Sequence, residues 1–495
     1  MFQQSLWASA GQFSKALAGL VSVLVLSSLL GPYIYGVYAL ALVLSGLAEV
    51  VVGGDTADII VQKPDLSPQH EAAVFSLLVG LGAIAVVLVF AGAHLLASWM
   101  QTPEIEEIAV AIATLPLLTA LSAVPTQKLV RAMRFDQLAR IDLFSSFVSL
   151  GCGIGLAIAG AGIWSLIALE LIRRGLHLTL VFLVAGRLET LRFTGQHVRE
   201  VIGYSMRRIE NAAIVFVARR LVPRLMISIL LGTTSLGLYI VALRLIDQFK
   251  GLLCDSPASI VFPEASRRRD DPDRLADLLR VVAKVTTWVA WPAFLGLIAI
   301  APLAVSVMLG QDWSALAMIV QLLTLGALRA PISSYASGVL RANDRLRTIT
   351  LIQAANLILT IIAIWIGSQF GIVVVAALLA LRQWLIWPIW SFQVASISGF
   401  KMLEQLQALV VGGAPAFAMM TCVWTVAWVV PQNNLLELIL LVGVGLTTYP
   451  IAWSLQNRPT AIGLARASQA WLHGDLNAAR KQVMNILGVV KETLT

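Results

Sequence analysis

Arg219, Arg220, Pro223 and Arg224 crowd the middle of one apolar stretch, IVFVARRLVPRLMISILLG at 214–232. A guanidinium is a planar fork of N–H donors that matches phosphate or carboxylate oxygens two at a time. Facing lipid at the bilayer centre, three of them would cost ~8–10 kcal/mol even on the lenient insertion scale. They must face a watered cavity or acidic partners. Helical spacing puts Arg220 and Arg224 on one face and Arg219 about 100° round, and Pro223 removes a backbone N–H and should loosen or kink the helix. The chemistry they offer is anion binding; structural ion pairing or snorkelling is the competing reading.

Other ionisable residues stand in apolar surroundings. Lys15 lies in the first stretch, Glu49 in the second, Glu170 with Arg173 and Arg174 in the sixth, Arg244 with Asp247 in the eighth, Arg329 in the tenth and Arg382 in the twelfth. The excess is positive, so the expected ligand group is anionic, and Lys15, Arg173, Arg244, Arg329 and Arg382 join the three arginines as candidate contacts. Glu49, Glu170 and Asp247 are candidates for ion pairing or coupling. Arg244 and Asp247 are three apart and suited to pair, and Glu49 aligns with Lys250 across an internal repeat.

The elements that carry these residues are membrane helices. The chain is 58% hydrophobic and 13% charged, against about 25% charged in soluble domains, and roughly fourteen apolar stretches reach the ~20 residues needed to span. The links between them alternate. Gly31–Gly36, Ser98–Glu106, Gly160–Ile163, Gly232–Leu236, Gly310–Trp313, Gly367–Gly371 and Pro431–Leu435 hold no Lys or Arg. The intervening links hold Lys63, then Lys128 to Arg140, Arg187 to Arg199, Arg267 to Arg280, Arg341 to Arg347, and Lys401. Positive loops are cytoplasmic, so both ends are expected inside. The same topology accounts for the net charge of +8, and no nucleic-acid partner follows. Met1–Leu6 lacks Lys and Arg, and the first stretch reads as an uncleaved helix rather than a signal peptide.

The halves repeat. SSLLGPYIYGVYALAL at 27–42 and SILLGTTSLGLYIVAL at 228–243 agree in eight of sixteen columns, including Gly31/Gly232, Gly36/Gly237 and Tyr38/Tyr239. The register returns at Arg131/Arg341, Gly162/Gly371 and Arg173/Arg382. Six helices separate the copies, an even number, so the lobes are parallel, as in transporters that rock two halves about a midplane site. The expected fold is an all-α polytopic membrane protein: residues 1–195 and 196–400 form two six-helix lobes, 401–455 adds helices 13 and 14, and 456–495 is a cytoplasmic amphipathic tail. Glu264–Arg280 is expected as a surface helix.

Enzyme signatures are absent: no GxxxxGK[ST], HExxH or GxSxG occurs, and no cofactor is implied. The glycines at 151, 153 and 155 lie inside a helix, where close packing explains them. Cys152, Cys254 and Cys422 have no disulfide or metal spacing, and the Asp271/Asp273 pair is a weak metal signal; no metal site is expected. The outward links are too short for an external catalytic domain.

LLGPYIYGVYAL at 29–40, IIVQKPDLS at 59–67, LVRAMRFDQLARIDL at 129–143, GAGIWSLIALELI at 160–172, LLGTTSLGLYIVALRL at 230–245 and VFPEASRRRDD at 261–271 together resemble the polysaccharide transporter (O-antigen and exopolysaccharide flippase) family. That family lies in the multidrug/oligosaccharidyl-lipid/polysaccharide export superfamily, and the likeness is to its colanic-acid exporter-like branch. The resemblance covers about Ser9 to Phe400. It implies a secondary-type transporter, not an enzyme. It would move undecaprenyl-pyrophosphate-linked oligosaccharide across a bacterial inner membrane, with bilayer lipids around it and polysaccharide polymerase and chain-length proteins as candidate partners. The arginines would then hold the pyrophosphate. Family members often carry acidic or amide residues where this chain has Arg219, Arg220 and Arg224, which leaves the coupling ion open. A cation-coupled multidrug exporter of the same superfamily and a non-transporting scaffold of a glycan-assembly complex are the alternatives.

Overall fold

Helix α1, Phe2–Val52, is interrupted at Gly31, whose φ of 72° and ψ of 165° leave the helical region. At 1.5 Å per residue its 51 residues are more than twice the length of one crossing, and the break divides them. Gly232 has almost the same backbone, φ 86° and ψ 165°, at the repeat-equivalent position. Positive φ is open to glycine at little steric cost, so the glycines shared by the repeats set the same bend twice. The computed structural model describes residues 2–52, 54–63, 65–186, 194–258, 261–267, 271–430, 434–463 and 466. Side chains of 2–15, 17, 51, 54, 55, 62, 204, 207, 208 and 211 are outside the described set, Lys15 among them. The tail helix expected beyond 466 also lies outside the described residues.

The remaining elements are α2 Pro68–Met100, α3 Ala109–Arg131, α4 Phe135–Ile158, α5 Ile163–Ala185, α6 Gly195–Phe216, α7 Val222–Leu231, α8 Thr233–Lys250, α9 Pro272–Met308, α10 Ser314–Ala327, α11 Ala330–Ala342, α12 Leu346–Ser368, α13 Ile372–Ser398, α14 Met402–Val429 and α15 Leu435–Gln456, with short turns between some of them. Nine described helices are long and apolar enough to cross a membrane, ten if α10 and α11, bent by 50°, count as one. That measure counts α1 once. It also passes over α5, α6–α7 and α8, whose apolar runs are interrupted by charge.

The chain forms two compact units, Met1–Val241 with Leu357–Ile372, and Ala242–Asn356 with Val373–Thr495. In the first, α2 packs on α3, α4 on α5, and α1 on α4, α2 and α3. Ile60, Val74, Leu78, Ala120, Val124 and Val201 are buried in one cluster at its base. Arg131 donates to the carbonyls of Ile60 and Lys63, the latter at 2.7 Å, and so clasps the link before α2. The hairpins of the two repeats also meet in this unit. A Cβ on Gly36 would lie 2.0 Å from the Thr233 carbonyl oxygen, and one on Gly237 1.7 Å from that of Pro32. Both contacts are backbone against backbone.

In the second unit α9 packs along α14, α10 and α15. The Trp291 ring fills the space where Gly413 lacks a side chain and donates from Nε1 to Leu328 O at 2.9 Å, at the α10–α11 bend. The surface helix expected over Glu264–Arg280 is not one element. A short helix ends at Arg267, and Asp271 caps a new start by accepting from Arg274 N at 3.1 Å, with Pro272 at the first position. Asp at the cap and Pro just inside favour a new helix start there. The following turns therefore belong to α9, and Arg280 ties them to Glu404 at 2.8 Å.

Candidate substrate-binding site

Along α5, Glu170, Arg173, Arg174 and His177 recur at intervals of three and four, which lines them up on one stripe. Glu170 Oε1 accepts from Arg173 Nη2 at 2.7 Å and from Arg174 Nε at 2.9 Å. Arg174 Nη1 reaches Glu49 of α1 at 2.5 Å and Thr119 Oγ1 of α3 at 2.7 Å, and Ser45 donates to the same Glu49 oxygen at 3.0 Å. Arg174 is thus the hub, and two carboxylates face two guanidiniums in a region that the apolar flanks would place inside the membrane. Burying such charges is tolerable only with this degree of pairing. Arg173 remains the more open member, its side chain 42% exposed against 17% for Arg174.

Between α6 and α7 the chain makes a π-helical turn, Val217–Leu221, with Val222 N bonded to Val217 O. The cause is Pro223. It has no N–H for the carbonyl of Arg219, so the ladder slips to a five-residue step before resuming. The same device recurs at Gly251–Asp255, just ahead of Pro257. The π turn interrupts the 3.6-residue register here; Arg219 and Arg220 are both exposed and Arg224 is half-buried. Arg224 donates to Ala39 O at 3.3 Å, one residue beyond Tyr38, whose phenol lies within electrostatic reach of Arg173. The Tyr38–Ala39 turn of α1 is therefore neighbour to arginines from both α5 and α7. Arg219 and Arg220 have no ion-pair partner among the described residues.

In the second unit Arg329 stands just before α11 at the bend and donates to Gln383 Oε1 at 3.2 Å. Trp384 Nε1 donates to Leu325 O at 3.0 Å. Arg382, the repeat partner of Arg173, donates to Asn356 Oδ1 at 2.6 Å, so where one repeat uses a carboxylate the other uses an amide. Arg244 is half-buried and Asp247 exposed, one turn apart on α8. Glu49, set by the repeat against Lys250, pairs instead with Arg174, while Lys250 lies 3.4 Å from Asp255. Sequence reasoning missed Thr119, Gln383 and Asn356. Their signal is weak in a single chain, because polar uncharged residues in a membrane helix are common. No cluster of three or more His, Cys, Asp or Glu suited to a metal occurs among the described residues.

A model of the polysaccharide biosynthesis protein family matches residues 25–318, well over half of the chain. The chain belongs to this family. Its apolar helices make it a membrane protein of that family. It is 26% identical over 318 residues to the succinoglycan biosynthesis transport protein ExoT of Rhizobium meliloti (strain 1021), a match covering 64% of each chain, so just under two thirds of that relative. It is 23% identical over 380 residues to the lipopolysaccharide biosynthesis protein WzxC of Escherichia coli (strain K12), covering 71% of this chain and 72% of that one. Among solved structures, the lipid II flippase MurJ in an inward closed conformation is similar at a TM-score of 0.75 and 15% identity, over 92% of this chain and 99% of that one. That likeness establishes the fold.

Proposed function

We propose that this protein is a flippase for undecaprenyl-pyrophosphate-linked oligosaccharide in a bacterial inner membrane, working by alternating access of two repeats. The observation that carries the reading is the pair Arg219 and Arg220, exposed on a π turn between two apolar helical segments with no carboxylate paired to them among the described residues. A site that held cationic drugs would present acids there instead. The ligand group that fits is a pyrophosphate, which carries about two negative charges, and an interior-negative membrane favours its outward movement by ~2.3 kcal/mol per charge per 100 mV. The protein's task is then to lower the barrier for the headgroup. Arg219, Arg220, Arg224 and Arg173 of the first unit would receive it.

With α1 taken as two crossings, α10–α11 as one, and α5, α6–α7 and α8 each as one, the helices give fourteen spans, and the Lys/Arg alternation sets both ends inside. The Gly36 and Gly237 contacts then lie on the outer side, where they would seal the substrate path until the hairpins part. The test is export in cells carrying an Arg219→Gln/Arg220→Gln double variant. The expected result is stable, inserted protein with lipid-linked sugar accumulating on the cytoplasmic leaflet. Normal polysaccharide output would refute the assignment.

A further inference from the structure

The two repeats make one interhelical bond from opposite sides. Thr119 and Arg329 each stand twelve residues before the matched Arg131 and Arg341, and Arg174 and Gln383 each follow the matched Arg173 and Arg382. In the first repeat the guanidinium lies on α5 and donates to Thr119 Oγ1 of α3 at 2.7 Å. In the second it lies at the α10–α11 bend, where Arg329 Nη2 donates to Gln383 Oε1 of α13 at 3.2 Å. A guanidinium only donates, so the amide oxygen must be the atom that faces it. The amide nitrogen is placed as well: a Cβ on Gly326 would lie 3.0 Å from Gln383 Nε2. The surroundings have changed with the exchange. Glu170, which braces both arginines of α5, has Leu379 as its counterpart, and Gly175 has Trp384. Arg173-Arg174-Gly175 thus becomes Arg382-Gln383-Trp384. The Trp384 ring is half-buried and held by its Nε1 bond to Leu325 O at 3.0 Å, while Arg382 donates to Asn356 Oδ1 at 2.6 Å.

We propose that Gln383 and Trp384, with Asn356 and the arginines that bond the two amides, form a sugar-binding site of the second unit. The proposal deepens the flippase reading and rests on it for the identity of the cargo. A hydroxyl is both donor and acceptor, and its best partners offer both. An amide that accepts one guanidinium N–H still has two N–H donors and a second lone pair, whereas an ionised carboxylate only accepts. The Glu170 stripe of the first repeat is chemistry for charge; the Gln383 and Asn356 amides are chemistry for hydroxyls. The face of a pyranose is a sheet of weakly positive C–H groups, which suits the negative face of an indole. The bond from Nε1 to a backbone carbonyl fixes that face in advance and lowers the ordering cost of binding. Gly175 offers no such face in the first repeat, and a Cβ there would meet nothing within 4 Å. Asn356, Arg329, Arg382, Gln383 and Trp384 are all half-buried, so each keeps part of its surface exposed. The repeats divide the cargo by chemistry, phosphate to the first and sugar to the second.

The test compares two probes on the full chain in bilayers of bacterial phospholipid. One is undecaprenyl pyrophosphate without sugar; the other is the same carrier with its complete oligosaccharide, extracted from cells that lack this protein. The wild type should bind the sugar-bearing carrier the more tightly. Trp384→Leu keeps apolar bulk without an aromatic face, and should weaken that carrier alone by about fivefold, the scale of one lost aromatic contact. Trp384→Phe keeps a ring and gives up the bond to Leu325, and should retain most of the affinity. Gln383→Glu can still accept from Arg329 but loses both amide N–H donors, and should also weaken the sugar-bearing carrier alone. An unchanged affinity in Trp384→Leu, or an equal loss for both carriers, overturns the sugar site while leaving the flippase reading intact. Equal binding of the two carriers by the wild type does the same. Failure of the wild type to bind either carrier refutes the flippase reading, and the sugar site with it.

Discussion

Two groups of arginines in the first unit solve the same problem in opposite ways. Arg173 and Arg174 on α5 are folded into a network with Glu170, Glu49 and Thr119, whereas Arg219 and Arg220 on the π turn are exposed and lack an acid among the described residues. The first arrangement satisfies its charges internally and belongs to the architecture. The second leaves its guanidinium forks without an acid among the described residues, which is why we propose it as the binding surface. Arg173, partly exposed at the edge of the network, joins the two.

The sharpest way to break this comparison is to remove the shared carboxylate. Glu170→Gln should cost about 3–5 kcal/mol, the penalty for stranding a buried partner, read as a large drop in thermal unfolding temperature and in inserted protein. Arg219→Gln/Arg220→Gln should shift stability by no more than about 0.5 kcal/mol yet abolish export. Were the two variants to exchange these phenotypes, the division into architectural and binding arginines would be wrong. A milder probe is Pro223→Ala, which restores the missing N–H and should let the α-ladder run through 217–221. Stability should hold or rise while export falls partway, because Arg219 and Arg220 are re-aimed; full export would show that the π turn does not position them.

The smallest effect concerns a third, peripheral solution at the base of the unit. Glu200 accepts from Lys63 at 2.6 Å and lies 3.1 Å from His70 Nε2. These hydrogen bonds hold its carboxyl below the usual carboxylate value. A depressed value means that the clasp stabilises the fold above the unfolded carboxyl's pKa of 4.5 and is lost as pH falls through the lower folded value. Glu200→Gln should therefore melt slightly below wild type near neutrality, and the two should converge in acid.

Much of this is legible in the sequence. Gly31/Gly232 and Gly36/Gly237 stand out as repeat matches because glycine is rarely interchangeable, and each pair has a specific backbone role. Charge within apolar surroundings likewise flags Glu49, Glu170 and Arg173. What one sequence does not give is partner choice: Glu49 takes Arg174 rather than Lys250 because α1 and α5 are packed neighbours, a fact of tertiary contact. Regular 3.6-residue spacing carried through Pro223 misses the π turn that bears Arg219 and Arg220. The missing N–H of that proline is already visible as the reason it should fail. The fourteen apolar stretches exceed the nine or ten clear spans because α1 counts once and because charge on α5, α6–α7 and α8 erodes the hydrophobic signal that locates them.

The backbone contacts at Gly36 and Gly237 carry a genetic consequence. Every single-base missense change in a glycine codon encodes a residue with a Cβ, and at these positions that atom would fall within 2.0 Å of a carbonyl oxygen. Neither site has a mild neighbour in codon space, and a compensating change elsewhere cannot remove a main-chain oxygen. These two positions should tolerate no missense change in a saturation library, even where the surrounding lipid-facing residues drift freely.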